Sequence, residues 1–344
     1  MPETRPHSTP ESSYATPPSR VAPAQFRHVL ACLDHSPQAP EILSQAAAIA
    51  EVMGAELTAL RVMETDLHAA PRPADPVDWE LTRREEEAEL GKLAEDVGVV
   101  PEMQPEVMGG TPADCICHKA RESGADLIAL GVGGRDHWGE LSLGGTVRKV
   151  AEHVAGSVLI VPDASTHDKP PRAQGGRILV ALDTSSQAEA ALPIAVRIAQ
   201  SLDAELVLLH AVPDIRLSGF GPPEAGDETL RDSLCRRNER VAKSYLERIR
   251  ALLPADRLRA RVRLLSGEDP RRAIARAVRE EGAGLVILSA RGLGAHSDRP
   301  IGSTAEYLLA GATVPVLLVR RDDAAARRNR QAAPRRPHLA RAPR

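Results

Sequence analysis

Leu127-Ile-Ala-Leu-Gly131-Val-Gly-Gly134, nine further residues and then Gly144-Gly145-Thr146 form a stretch that occurs again as Leu285-Val-Ile-Leu-Ser289-Ala-Arg-Gly292, nine further residues and Gly302-Ser303-Thr304. An apolar run that opens into glycines, makes an excursion of fixed length and re-enters a helix at Gly-Ser/Thr turns backbone N–H groups toward an anion, most readily a phosphate. Its recurrence makes the chain a duplication.

Working outward from the loop, Val29-Leu-Ala-Cys-Leu-Asp34-His-Ser36 matches Ile178-Leu-Val-Ala-Leu-Asp183-Thr-Ser185, and Leu57 to Val62 matches Leu206 to Ala211, both at an offset of 149 residues. Beyond the second strand the offset becomes 158 and holds through Gly124/Gly282, Gly144/Gly302 and Val161/Val319. The second copy therefore carries nine extra residues, which belong in a surface connection. Each copy reads as alternating strands and helices. In the first, strands end at Leu33, Met63, Met108, Gly131 and Val161. The helix over about 39–53 places Ile42, Ala46, Ile49 and Met53 on one face, with Gly54 as its stop. The helix over about 78–97 is expected to turn Leu81, Ala88, Leu93 and Val97 inward. In the second copy the strands fall near 177–182, 205–212, 258–265, 285–289 and 315–319. Alternating strands and helices require right-handed crossovers, which gives two doubly wound α/β domains, each with a parallel sheet.

Composition agrees with this class. At 344 residues the chain has room for two cores, and with only 2% aromatic residues those cores must be aliphatic. No run approaches the roughly 18 apolar residues of a membrane span. The boundaries expected are a disordered arm over 1–24, domains over 25–163 and 176–321, a Pro- and Gly-bearing linker over 164–175 and a basic disordered tail over 322–344. Net charge is −3, yet the stretch from Arg320 to Arg344 carries +7, leaving −10 on the remainder. Contact of that tail with nucleic acid or membrane is not expected, because no aromatic residues interleave with its arginines. Four cysteines make no disulfide framework, and a cytoplasmic location fits them. Cys115-Ile-Cys117-His118 lacks a second ligand pair and lies in a predicted helix, so no metal is assigned. Cys32 reads as a small core residue.

In open parallel sheets ligands bind beyond the carboxyl ends of the strands, where strand order reverses. Asp34 and Gly131 face one such crevice, and Asp183 and Ser289 the other. A carboxylate there accepts from a ribose hydroxyl or adenine amine, while the helices beginning near Gly144 and Gly302 offer free N–H groups to phosphates. Either Asp alone would read as a helix cap. Together with the glycine loop, the ligand reading is taken. Arg135, His137, Arg291 and His296 either add charge to a phosphate site or are exposed loop residues, and Trp138 either stacks on a ligand or covers a contact. Walker, G-x-G-x-x-G, nucleophile-elbow and H-E-x-x-H patterns are all absent, so no dedicated enzymatic apparatus is read.

Asp-x-Ser after the first strand, the Gly-x-x-Gly loop, its nine-residue spacing to Gly-Ser/Thr and the closing Pro-Val-Leu-Leu-Val strand together resemble the universal stress protein family, over about 26–162 and 176–320. The resemblance implies a tandem member with two flavodoxin-like (HUP-type) domains, each a five-stranded parallel sheet in the order 3-2-1-4-5. It also implies ATP or another adenine nucleotide, with or without Mg²⁺, and a cytoplasmic stress-response role through partner contacts. Carried over by position, Asp34 and Val62 hold the adenosine end in the first copy, and Gly131, Gly134, Gly144, Gly145 and Thr146 surround the phosphates. In the second copy the residues are Asp183, Ala211, Gly292, Gly302, Ser303 and Thr304. Two departures stand out: Ser289 replaces a glycine, obstructing the loop if that position needs φ > 0, and Gly145 replaces a hydroxyl residue. A ligand-free interaction scaffold and a slow ATPase or phosphotransfer protein are the alternatives. Single-domain relatives pair through the last strand, so 157–161 and 315–319 are expected to meet as an internal pseudo-dimer. Further homodimerisation is left open, as is the protein partner.

Overall fold

The structure, a computed structural model, describes residues 26–64, 75–99, 102–132, 143–163, 176–215, 226–292 and 300–320. The arm over 1–24, the linker over 164–175 and the tail over 322–344 lie outside them. The first half runs β1 (His28–Leu33), α1 (Ala39–Met53), β2 (Glu56–Met63), α2 (Pro76–Val97), β3 (Met103–Gly109), α3 (Pro112–Glu122), β4 (Leu127–Gly131), α4 (Gly145–His153) and β5 (Ser157–Val161). The second runs β6 (Arg177–Ala181), α5 (Ser186–Glu189), α6 (Leu192–Ser201), β7 (Glu205–Ala211), α7 (Asp227–Leu252), β8 (Ala260–Leu265), α8 (Pro270–Glu281), β9 (Ala283–Ser289), α9 (Ser303–Ala310) and β10 (Val316–Val319).

Short aliphatic strands buried on both faces need helices above and below, and the sheet is arranged accordingly. Along β1, Val29, Ala31 and Leu33 enter one core layer with α1, α6 and α7, while Leu30 and Cys32 enter the other with α3, α4, α8 and α9. Burial pushes the Cys32 thiol pKa up, in keeping with a core role. Strand order is β3-β2-β1-β4-β5-β10-β9-β6-β7-β8, so each half has the order 3-2-1-4-5. All pairs are parallel except β5 with β10. That antiparallel seam fuses the two expected five-stranded sheets into one of ten strands.

The seam is centred on Leu159 opposite Leu317, which occupy the same position in the two copies, and Val158–Leu318 and Ile160–Val316 flank it. The register is thus symmetric about a pseudo-dyad. Each half covers the apolar edge of the other, which among the described residues leaves β3 and β8 as the outer edges. Pro105, which lacks an N–H, leaves edge strand β3 one backbone donor short, while its register with β2 runs unbroken from Met103 to Gly109. Ser157 and Pro315 do not spoil the pairing: the Ser157 hydroxyl accepts from Arg320 N at 3.1 Å and the Pro315 carbonyl accepts from Val286 N at 3.0 Å. The Arg320 guanidinium donates to the Ala151 and Val154 carbonyls at the end of α4. On the opposite face Arg197 of α6 donates to the Val52 and Met53 carbonyls at the end of α1, at 3.0 and 3.3 Å. Arg148 of α4 lies 4.0 Å from Glu306 of α9, its repeat equivalent.

Two local departures have clear causes. The first copy has one helix after its first strand, whereas the second has α5 and α6, because Pro193 lacks an N–H and opens a new helix at its first turn. On α2, Leu81 is 55% exposed instead of inward, and Leu90 is the fully buried residue. At that end the Trp79 ring lies against Gly109 of β3, and further along Glu86 and Glu89 pair with Arg61 of β2.

Candidate functional site

In the second half β6 hands the chain through Leu182 to Asp183 at the carboxyl edge of the sheet. Asp183 Oδ1 accepts from Ser185 N at 3.1 Å and from Ser185 Oγ at 2.6 Å, and Ser185 Oγ in turn accepts from Ala188 N at 3.1 Å. The helix cap is therefore Ser185, and Asp183 shapes the turn before it. Thr184 between them has φ 68°, a left-handed conformation that costs a β-branched residue on the order of 1–3 kcal/mol. The other carboxylate oxygen, Oδ2, occupies the space a Cβ on Gly292 would need. Across the crevice, Gly302 N donates to the Ala290 carbonyl at 2.8 Å and closes the loop excursion. The helix α9 then starts at Ser303 with no side-chain cap, so its first N–H groups face outward from the helix end. Together these residues bound a cleft of about 210 Å³, with Ala211, Ser289 and Thr304 in its wall and Pro270 and Ile274 of α8 closing one side.

The first half repeats the scaffold with different details. Asp34 is exposed and accepts from Ser36 N at 3.0 Å, again a turn rather than a helix cap. Val62 is half-buried at the end of β2. Gly131 has no left-handed φ. A Cβ there would meet Gln38 Oε1 at 2.5 Å and Ile42 Cδ1 at 2.7 Å, and Gln38 donates to the Val161 carbonyl at 2.6 Å. The glycine makes room for Gln38, so Ser289 at the matching place is not obstructed by backbone geometry. Its hydroxyl donates to the Arg291 carbonyl at 2.6 Å. Gly144 has φ 68° where Gly302 has φ −75°, so the two loops enter their helices differently. Gly145 and Thr146 are the first two residues of α4, which also lacks a side-chain cap. Gly134, Arg135, His137, Trp138 and His296 lie outside the described residues.

Beside the first crevice lies a cluster that periodicity did not reveal. Arg61 of β2, its side chain 5% exposed, donates through Nη1 to Glu86 at 2.6 Å and Glu89 at 3.0 Å, both on α2. The His35 imidazole is 3.1 Å from both Glu86 carboxylate oxygens. Burial raises the Glu86 carboxyl pKa, but Arg61 and His35 outweigh it and the net shift is downward. His35, Glu86 and Glu89 could bring three ligand atoms within 4.8 Å of one another. The Arg61 guanidinium already supplies the positive charge there, so the arrangement is a closed ion pair and not a metal cradle. Its signal in the sequence is a lone cation inside the apolar run Leu57-Thr-Ala-Leu-Arg61-Val.

A family model described as the universal stress protein family matches residues 25–162 and 176–320. The chain belongs to that family. A universal stress protein of Thermus aquaticus is 36% identical over 143 residues, covering 42% of this chain and 97% of the relative. One from Mycobacterium tuberculosis H37Rv is 24% identical over 305 residues, 85% of this chain and 96% of the relative, and so spans both halves. Among solved structures, a universal stress protein from Archaeoglobus fulgidus superposes with TM-score 0.58 at 24% identity, over 86% of this chain and 97% of its own. That likeness concerns the fold. Among the described residues of this universal stress protein, no helix is long and apolar enough to cross a membrane.

Proposed function

We propose that this universal stress protein binds an adenine nucleotide, ATP with Mg²⁺, in the cleft of its second half, and acts in the cytoplasmic stress response through partner contacts that depend on the bound state. The observation that carries the reading is Asp183 Oδ2, held against Gly292 by the Ser185 turn and facing a cleft whose far wall is the uncapped start of α9. A carboxylate acceptor for the nucleoside and a helix N-terminus for phosphates suit the two ends of a nucleotide. Ala211 and Ile274 supply the apolar wall between them. For the first half a ligand-free role has its own support, since Gly131 is required by Gln38 rather than by a ligand. The internal pair would then combine one nucleotide-responsive half with one structural half.

Denaturing the purified protein and identifying released small molecules by mass spectrometry is the direct test. An adenine nucleotide is expected, together with saturable ATP uptake by titration. Asp183→Ala should weaken uptake by about tenfold or more, the worth of one hydrogen bond to a charged acceptor, and Asp34→Ala by less than about twofold. Release of no nucleotide combined with a flat titration would remove the proposal. Equal losses in the two variants would instead give both halves working sites.

A further inference from the structure

The outer end of the sheet carries a groove that the nucleotide reading does not use. Among the described residues, strand β8 pairs only with β7 and no strand lies on its other edge. Beside it Arg236, Arg240 and Lys243 of α7, with Ser233 and Glu239, face Leu264 of β8 across a groove of about 550 Å³. The three cations stand at i, i+4 and i+7, hence on one face of the helix and within about 10 Å along its axis. All three are exposed, and among the described residues none has an ion partner. Several other arginines of this region are paired. Arg231 pairs with Asp214 at 2.8 Å, Arg250 with Glu247 at 2.9 Å, and Arg261 and Arg263 with Glu281. Like charges at i, i+4 repel, and Glu239 is the one carboxylate in the lining against three cations, so the groove keeps a net positive charge that favours an entering anion.

We propose that the groove docks an extended acidic segment of a partner protein, with alternate carboxylates on the cation row and its backbone along the free edge of β8. Alternate side chains of a strand repeat at about 6.7 Å, close to the rise of about 6 Å between helix positions i and i+4. An open edge supplies main-chain hydrogen bonds to an added strand, and side-chain contacts supply selectivity. Leu264 gives the floor an apolar contact for side-chain methylenes. A nucleic-acid strand fits less well, because among the described residues no aromatic ring lines the groove for stacking and the free strand edge offers main-chain hydrogen bonds that a polypeptide backbone can match. The chain's own tail from Arg320 to Arg344, at +7, has the wrong sign to fill it.

The test is fluorescence anisotropy of the full chain with a labelled peptide of alternating Glu and Thr, with labelled oligo-dT and anionic phosphatidylserine vesicles as parallel probes. The peptide should bind saturably at low salt, weaken as salt rises, and protect the β8 amides from hydrogen exchange. Arg236→Glu/Arg240→Glu/Lys243→Glu should reduce its affinity about tenfold or more, and the corresponding alanine triple should move it in the same direction. The charge-matched Lys92→Glu/Arg272→Glu/Arg279→Glu control should leave it unchanged, circular dichroism showing all variants folded. The proposal is overturned by any of three results: no saturable peptide binding at low salt, equal losses in the groove and control triples, or tighter groove-dependent binding of oligo-dT or vesicles. Unprotected β8 amides in a peptide-bound sample would overturn the strand-addition geometry.

Discussion

Gly292→Val is expected to weaken nucleotide uptake by the second half severely while leaving the protein folded. A Cβ at this position would overlap Asp183 Oδ2, and the carboxylate cannot simply withdraw, since its other oxygen is held by the Ser185 amide and hydroxyl. The side chain would either displace Asp183 or occupy the crevice itself. Both remove the acceptor that the nucleoside needs, and the branched valine adds bulk to a cleft of only about 210 Å³. We expect affinity to fall by roughly a hundredfold, equivalent to about 3 kcal/mol, from loss of a charged acceptor plus steric exclusion. Global stability should change little, because Gly292 lies at the loop entrance and has no left-handed φ. Gly302→Ala provides the contrast. Its Cβ would meet nothing nearer than the Ala290 carbonyl at 3.6 Å, and its φ of −75° suits any residue, so uptake should stay within about threefold of the parent. Titration of both variants alongside thermal melts decides the matter: unchanged ATP affinity in folded Gly292→Val contradicts the site.

The contrast also shows what a sequence can and cannot specify about such a site. The two offsets and the spacing of the glycines were enough to locate the strands, their crossovers and the crevice, because each is a local or periodic property. The seam was expected from the resemblance, since single-domain relatives pair through the last strand, and the repeat supplies that partner in symmetric register. The causes of individual glycines were not readable. Gly131 opens the first loop and Gly292 closes the matching span of the second, yet one makes room for Gln38 at the N-cap of α1 and the other for Asp183 just beyond β6. Those neighbours come from distant parts of the chain, and no local pattern names them. The same holds for α2, where Leu81 satisfied the helical period but Leu90 and the Arg61 ion pairs are what fasten the helix. A charge-rich helix can be oriented by one buried cation on a neighbouring strand, a contact that binary patterning does not record.

That buried cation supports the second large prediction. Arg61→Ala should destabilise the protein by about 3 kcal/mol, because it leaves Glu86 largely desolvated with only the exposed His35 imidazole beside it. The estimate takes the low end for breaking a buried pair, since Glu89 is 63% exposed and can turn to water. For a half of this size the melting temperature should drop by roughly 10 °C. The pH dependence fixes the mechanism. Glu86 has a folded pKa below its unfolded value, so its contribution is fully present above the unfolded carboxylate value of about 4.3 and disappears as pH falls through the lower folded value. Without Arg61, burial dominates and should raise the carboxyl instead. The stability difference between parent and variant should therefore be widest near neutrality and narrow on acidification. The double change Arg61→Met/Glu86→Leu, which replaces the pair by apolar groups, should recover most of the loss, since an ion pair stripped of both partners leaves no orphan charge. A variant that melts within about 2 °C of the parent, or a gap that widens as the pH is lowered, would mean that Arg61 is not what holds α2 over the first crevice.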